Sequence, residues 1–416
     1  MNYEHYPRWQ EQKIRQALRT RRVLLLAGAR QCGKTTLAKI VSADEGIYRN
    51  LDDETLLNAA QDDPQGFVRH DSRLMVIDEV QRAPSLIRAV KRDVDENQDT
   101  GRFLLTGSAN IQSLPGVQES LAGRVRKARL RPLALGEIYQ KDPQFIVNAF
   151  LQKFNSPALI EGKAFDKDAY LSAAFRGGYP EALRLQALKE IRRWHLDYLE
   201  ALLERDLKDI TQVRRKDSMG KLVEALAAWS SRLIDITSIG QNLAISRPTI
   251  ESYINALEAF YLVERVRSWH KTDYDRVGKK DKLFMTDTGL MASILGWRFD
   301  KVQLDGSLNG KLIESFVFTQ LAAILDAQDE DYRLYHYRDR EKREIDFLIE
   351  DEKGDMIALE VKAGSSVNRS SFKHMEWFRE HLAKGREFTA IVLYTGENVV
   401  SFGSRMWAVP LSCLWS

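Results

Sequence analysis

Apolar residues recur at helical spacing from Trp9 to Leu18, and the pattern then changes to an unbroken apolar run, Val23-Leu24-Leu25-Leu26-Ala27. A run of that length without alternation predicts a strand buried on both faces, as in a parallel sheet. A helical stretch follows Lys34, and Gly46-Ile47-Tyr48-Arg49-Asn50-Leu51 predicts a second strand ending at Asp52 and Asp53. Leu74-Met75-Val76-Ile77 and Phe103-Leu104-Leu105 predict two more short buried strands, each running into polar residues. Strands alternating with helical segments describe an α/β sheet, in which ligand groups collect at the carboxyl ends of the strands.

The pattern weakens from about Pro143 to Asp168, which reads as an insertion or linker, and Ile191 to Ile210 predicts a long, charge-laced helix. Ile236 to Ile245 predicts a short helix, after which Ser246 can cap a second one with Pro248 in its first turn. Leu257, Phe260 and Leu262 supply an apolar face before Val263-Glu264-Arg265-Val266 predicts a strand. Helix, tight turn, helix and strand is the order of a winged helix-turn-helix, whose second helix enters a major groove. Arg247, Thr249, Ser252 and Asn255 would then be the outward DNA-contacting candidates. Glu251 and Glu258 on the same helix repel phosphates, so a structural or protein-contacting role is the competing reading. From Lys282 onward the pattern returns to mixed helix and strand. The expected organisation is 1–140, 141–219, 220–270 and 271–416: a nucleotide-binding domain, a helical linker or lid, a winged-helix unit and a C-terminal α/β domain.

Length supports that division, since 416 residues exceed one ordinary core. Lys plus Arg (62) nearly balances Asp plus Glu (59), so a nucleic-acid contact would have to come from a local patch. Two cysteines, Cys32 and Cys413, fit a reducing compartment and no disulfide framework. No apolar run approaches the roughly 20 residues of a membrane helix, and the segment from Met1 to Arg22 lacks a signal peptide's apolar core. The expectation is a cytoplasmic protein with no membrane partner.

The chemistry begins at Gly28-Ala29-Arg30-Gln31-Cys32-Gly33-Lys34-Thr35-Thr36, placed between an apolar strand and a helix. This is the phosphate-binding-loop pattern: its glycines let backbone N–H groups close around phosphate oxygens. Lys34 would reach the β- and γ-phosphates of ATP, and the Thr35 hydroxyl would ligate Mg²⁺; Cys32 is not required by the pattern. Asp78, ending the Leu74–Ile77 run, would hold the same Mg²⁺, and Glu79 would orient or deprotonate the attacking water. Thr106 and Ser108, following Leu104-Leu105, are candidate sensors of the γ-phosphate, with a plain turn as the alternative. Arg124 is a candidate arginine finger for a neighbouring subunit's nucleotide, with a salt-bridge role as the alternative.

With these residues in view the sequence resembles the AAA-superfamily ATPases of the AAA_14 type that carry a C-terminal DUF4143 domain. The resemblance rests on the loop from Gly28 to Leu37, Ile77-Asp78-Glu79-Val80-Gln81, Leu105-Thr106-Gly107-Ser108 and Leu121-Ala122-Gly123-Arg124. Downstream it continues through Glu204-Arg205-Asp206-Leu207, Phe284-Met285-Thr286-Asp287-Thr288-Gly289-Leu290 and the segment from Glu344 to Lys362. It implies a AAA-type ATPase, working as a homo-oligomer in one reading, with no settled substrate. Asp346 followed by Glu360-Val361-Lys362 further resembles the PD-(D/E)xK nuclease core, which implies a restriction-endonuclease-like C-terminal α/β domain. Strand alternation puts Glu360 and Lys362 on one face, and a hairpin near Gly354 would bring Asp346 beside them. Asp346, Glu360 and Glu314 would then bind Mg²⁺, and Lys362 would serve as a catalytic residue that positions water. Solvated charges on an open hairpin are the bland alternative. Three functions are compatible with these features: an Mg²⁺-dependent ATPase driving C-terminal modules on DNA, an ATP-gated metal-dependent DNA nuclease, and a nucleotide-controlled protein-binding switch.

Overall fold

The computed structural model describes residues 6–43, 46–107, 124–154, 159–160, 163–210, 216–241, 243, 245–272 and 279–416. They form two compact units: one from the amino end to Pro132 with Ala259–Tyr261, the other from Leu133 to Glu258 with Leu262 to Ser416. The second unit therefore takes in the three segments that the sequence pattern separates.

In the first unit, five parallel strands run β1 (Val23–Gly28), β2 (Gly46–Asn50), β3 (Leu74–Asp78), β4 (Phe103–Gly107) and β5 (Val125–Leu130), side by side in the order β2-β3-β4-β1-β5. Strands β1, β3 and β4 are buried at every position, which is why their sequences are continuously apolar rather than alternating. Around them pack α1 (Trp9–Thr20), α2 (Lys34–Ser42), α3 (Glu54–Asp62), α4 (Pro64–Val68) and α5 (Ser85–Glu96). Helix α5 buries Leu86, Ile87, Val90 and Val94, one helical stripe, in a core with Val23, Leu25, Ile77, Phe103 and Leu105. Asp53 caps α3 by accepting from the amides of Thr55 and Leu56.

In the second unit, a short hairpin of β6 (Leu159–Ile160) and β7 (Lys163–Ala164) stands apart from a nine-stranded mixed sheet. The sheet's strands are β8 (Arg232–Leu233), β9 (Val263–Ser268), β10 (Lys282–Met285), β11 (Arg333–Arg338), β12 (Glu344–Glu350), β13 (Met356–Lys362), β14 (Phe388–Tyr394), β15 (Val400–Gly403) and β16 (Met406–Pro410). Their order is β15-β16-β14-β13-β12-β11-β9-β10-β8. The unit's helices include α6 (Phe145–Leu151), α7 (Leu188–Ile210), α8 (Lys216–Trp229), α9 (Ile236–Gly240), α10 (Arg247–Ala259), α11 (Thr288–Ile294), α12 (Gly306–Ala327) and α13 (Lys373–His381). Helix α12 is apolar around most of its circumference and is correspondingly buried, with Phe318 stacked on Phe284 at 4.4 Å between ring centres. Helix α13 packs Met375 and Phe378 into a second core with Trp269, Ile345, Leu348 and Phe388.

Two local expectations change. The weak stretch after Pro143 contains α6, whose buried residues are Phe145, Ile146 and Ala149, too few turns for a visible period. The helix expected to reach Ile245 ends at Gly240, where a Cβ would lie 2.5 Å from Ile250 Cδ1 of α10. That glycine is a close-approach position between two helices, and α9 stops there.

Candidate functional site

Register alone aligns the candidate nucleotide-site residues. Leu26 of β1 pairs with Thr106 of β4, and Ile77 of β3 pairs with Leu105, so Asp78 sits level with Thr106. With neighbouring strands about 4.8 Å apart, Asp78 stands roughly 10 Å across the sheet from the β1 end where the glycine loop begins. Strand β4 lies between them and carries Thr106.

The loop from Gly28 to Gly33 turns sharply into α2. Gly33, the residue before the helix, has φ +102°, a conformation that a side chain would strain. Gly28 is needed for a different reason: a Cβ there would lie 2.1 Å from the Leu130 carbonyl oxygen at the end of β5. Lys34 is 5% exposed and its Nζ donates to the carbonyls of Gly28 (3.1 Å) and Ala29 (2.8 Å), so the ammonium is folded back across the loop. Thr35 is half-buried and Thr36 exposed at the start of α2. Arg30 is half-buried, and Gln31 is exposed with a positive φ of 61°. Cys32 is fully buried, its thiol 3.4 Å from the Leu130 carbonyl, so it packs the loop onto β5. Arg8 donates to the Cys32 carbonyl at 2.8 Å and ties the segment before α1 to the same loop.

Asp78 is 1% exposed, and hydroxyls hold both its carboxylate oxygens. Tyr48 donates to Oδ2 at 2.5 Å and Thr106 donates to Oδ1. Burial, then the hydrogen bond to Asp78 and the nearby acidic charge, push the Tyr48 phenol well above its usual range, so it remains a donor. Tyr48 belongs to no motif, and no local pattern of residues marks it. Glu79 has φ 57°, an unusual conformation for a side-chain-bearing residue, and accepts from the Gln81 amide. Such strain beside a buried acid is a feature of functional loops. The oxygen donors Thr35 and Asp78 fit a hard cation such as Mg²⁺, which needs only one or two protein ligands when phosphates supply the rest.

Ser108 lies outside the described residues, as do Leu121, Ala122 and Gly123. Arg124 is ion-paired to Asp95 at 2.6 Å. It precedes Val125, which pairs with Val23 at the opposite end of β1 from the loop. Five residues at about 3.3 Å separate the two ends, beyond the reach of the side chain toward its own chain's nucleotide.

On α10, Arg247, Ser252 and Asn255 are exposed and Thr249 is half-buried. Arg247 is paired with Glu251 at 3.0 Å, and Asn255 accepts from Arg265 at 2.5 Å. The helix therefore presents little free positive charge.

In the C-terminal sheet Phe347 pairs with Leu359, which puts Asp346 level with Glu360, and the Val361 amide donates to Asp346 Oδ2 at 2.9 Å. Lys362 Nζ is bound to Glu360 at 2.7 Å. Glu314 of α12 faces the same strands, but the metal-ligand expectation for Glu314, Asp346 and Glu360 does not fit what lies among them. Lys282 of β10, 2% exposed, places its ammonium 2.5 Å from Glu314, 3.2 Å from Glu344 and 3.4 Å from Asp346. Among the described residues no group of three or more His, Cys, Asp or Glu is arranged to hold a metal. Burial disfavours the Lys282 charge, yet the three carboxylates outweigh it and hold its pKa above the ordinary value. Burial, then repulsion from Asp346, raises Glu314 to about 7 and Glu360 to about 8, against the pull of the lysines.

Among the described residues no helix is long and apolar enough to cross a membrane. Residues 20–139 match the family model described as an AAA domain, residues 167–301 one described as DUF8612, a domain of unknown function, and residues 309–414 one described as DUF4143, a domain of unknown function. The uncharacterized protein Rv2008c of Mycobacterium tuberculosis is 28% identical over 404 residues, covering 96% of this chain and 82% of that one. The uncharacterized protein Mb2031c of Mycobacterium bovis matches with the same figures. Among solved structures, AMPPCP-bound DnaA from Aquifex aeolicus is 13% identical, covering 59% of this chain and 86% of that one, with a TM-score of 0.30. The RuvB Holliday junction branch migration motor of Thermotoga maritima is 17% identical, covering 62% and 88%, with a TM-score of 0.29. Likenesses that distant carry no weight here; the domain matches do, and they make residues 20–139 similar to an AAA domain and residues 309–414 similar to a DUF4143 domain.

Proposed function

We propose that the chain is an Mg²⁺-dependent ATPase. The observation that carries this reading is the alignment of the Gly28–Thr35 loop, Thr106 and Asp78 at the carboxyl ends of inner strands of a parallel sheet, with β4 between the two strands that bear the loop and the acid. In this reading the α2 amino end and the loop amides bind the triphosphate, and Lys34 exchanges its two carbonyl partners for the β- and γ-phosphates. Thr35 and Asp78 hold Mg²⁺, which neutralises charge on the phosphates. Tyr48 and Thr106 fix the Asp78 carboxylate without cancelling its charge, and Glu79 takes the proton of the attacking water. Arg124 serves only a neighbouring copy's nucleotide, which makes oligomerisation part of the reading. Lys34→Ala should abolish nucleotide binding, whereas Glu79→Gln should keep it and lower kcat by about 10²–10⁴. Hydrolysis by Glu79→Gln at the unmodified rate refutes the assignment.

One observation favours DNA as the partner over a protein. A cleft of about 560 Å³ in the second unit is lined by Lys271, Lys279, Lys280, Arg338 and Arg340, with Asp339 and Glu341 among them, at the ends of β9, β10 and β11. Lys280 and Arg338 are paired with Asp235 and Glu344, so the excess positive charge rests on Lys271, Lys279 and Arg340, and that excess suits a phosphate backbone better than the charge-paired α10 does. Stimulation of ATP hydrolysis by duplex DNA, lost in Lys279→Glu/Arg340→Glu, is the test. A rate indifferent to DNA leaves the nucleotide-controlled protein-binding switch in its place.

A further inference from the structure

The carboxylates on α12, β12 and β13 stand close together, and a divalent ion is what the resemblance of this segment to a nuclease core implies. The geometry shows a different cation. Lys282 enters from β10, a strand on the far side of β9 and β11 from β12 in the sheet order, and reaches the carboxylates of Glu314, Glu344 and Asp346 within 3.4 Å. Its strand is buried at all four positions, so the ammonium has no water to retreat to. The remaining charges are also matched: Arg338 takes Glu344 at 3.2 Å and Lys362 takes Glu360 at 2.7 Å. Four carboxylates thus face three cationic side chains. An Mg²⁺ ion among them would stand within contact distance of a buried ammonium, and like charges at that range exclude each other.

We propose that Lys282 is the resident counter-ion of this cluster, standing where a divalent metal would otherwise sit, so that the cluster becomes a divalent-cation site only when that ammonium is removed. Lys362 is then a partner of Glu360 rather than a group that activates water. This proposal stands apart from the ATPase reading, since nothing in it depends on the first unit.

The test uses the full chain without nucleotide, carrying Asp78→Asn so that the first unit contributes no metal site, and follows Mn²⁺ binding by electron paramagnetic resonance. The parent should show no Mn²⁺ whose binding depends on Asp346. Lys282→Met should gain a site at least about tenfold tighter than any parent binding, and adding Asp346→Asn should remove it again. Mn²⁺ held by the parent and released by Asp346→Asn overturns the proposal, and this arm stands even if Lys282→Met fails to fold. A folded Lys282→Met chain that gains no Mn²⁺ overturns it as well.

Discussion

Asp287 follows β10 and opens α11, and the cost of altering it can be worked from its contacts. It is 2% exposed. Its Oδ1 accepts from the Leu290 amide at 2.8 Å as a helix cap, and its Oδ2 accepts from the Gly178 amide at 2.7 Å. Each oxygen therefore serves one buried donor, from segments 109 residues apart in the second case. Asparagine has a single acceptor oxygen, so Asp287→Asn can satisfy one amide and must turn an NH₂ toward the other. The loss is one charge-assisted hydrogen bond, about 1.5–3 kcal/mol, with a stranded buried N–H costing a further ~1–3 kcal/mol. Asp305 supplies the control: it is half-buried and caps α12 by accepting from the amides of Ser307 and Leu308 on the single oxygen Oδ1, so Asn is as good a cap there. Hydrogen exchange of the segment from Phe284 to Leu295 in the full chain should therefore quicken by more than about 30-fold in Asp287→Asn, roughly 2 kcal/mol by the tenfold-per-1.4-kcal/mol relation. It should stay within about twofold in Asp305→Asn. Equal exchange in the two variants would refute the argument that both oxygens of Asp287 carry load.

Gly28→Ala should weaken nucleotide binding and lower the stability of the first unit by about 1–3 kcal/mol, because the new methyl meets the Leu130 carbonyl, backbone that cannot rotate away. Unchanged ATP affinity and an unchanged melting temperature would argue against that contact. The raised pKa of Glu360 gives a signed pH dependence. Folded protein keeps a proton that the unfolded chain loses above about 4.5, so this group's contribution to stability is complete below that pH and is lost as pH rises to about 8. Glu360→Gln removes the titration, so its melting temperature relative to the parent should rise from pH 5 to pH 8; a difference constant with pH would contradict the raised value.

The first unit was largely legible because each of its signals is local. An unbroken apolar run marks a strand buried on both faces, and a phosphate loop must join such a strand to a helix, so β1, α2, β3 and β4 were readable from residues 23–107 without any long-range information. Tyr48 was not readable, because its hydroxyl reaches Asp78 only once β2 has paired with β3, with Asn50 opposite Asp78. The second unit hides more, since its sheet joins strands from residue 232 to residue 410. Alternation correctly placed Glu360 and Lys362 on one strand, but it contains no term for Lys282, which comes from a strand two places away from β11 in the sheet. Arg247 and Asn255 were legible as exposed; their pairing with Glu251 and Arg265 depends on side-chain reach, which the pattern of apolar positions does not encode.

The two acidic centres show why residue type underdetermines function. Asp78 and Asp346 are both carboxylates at inner strands, both within hydrogen-bond reach of a neighbour, and both attract a metal assignment from sequence. Around Asp78 the partners are neutral hydroxyls from Tyr48 and Thr106, which orient the carboxylate and leave its negative charge for an arriving cation. Around Asp346 the partner is a buried ammonium, which supplies the positive charge itself. In the reading proposed above, the hydroxyls leave Asp78 free to take a metal ion and the lysine stands in for one beside Asp346. On the proposed reading, the charge on the neighbour, fixed by which strand lies alongside, decides which of two similar acids takes Mg²⁺.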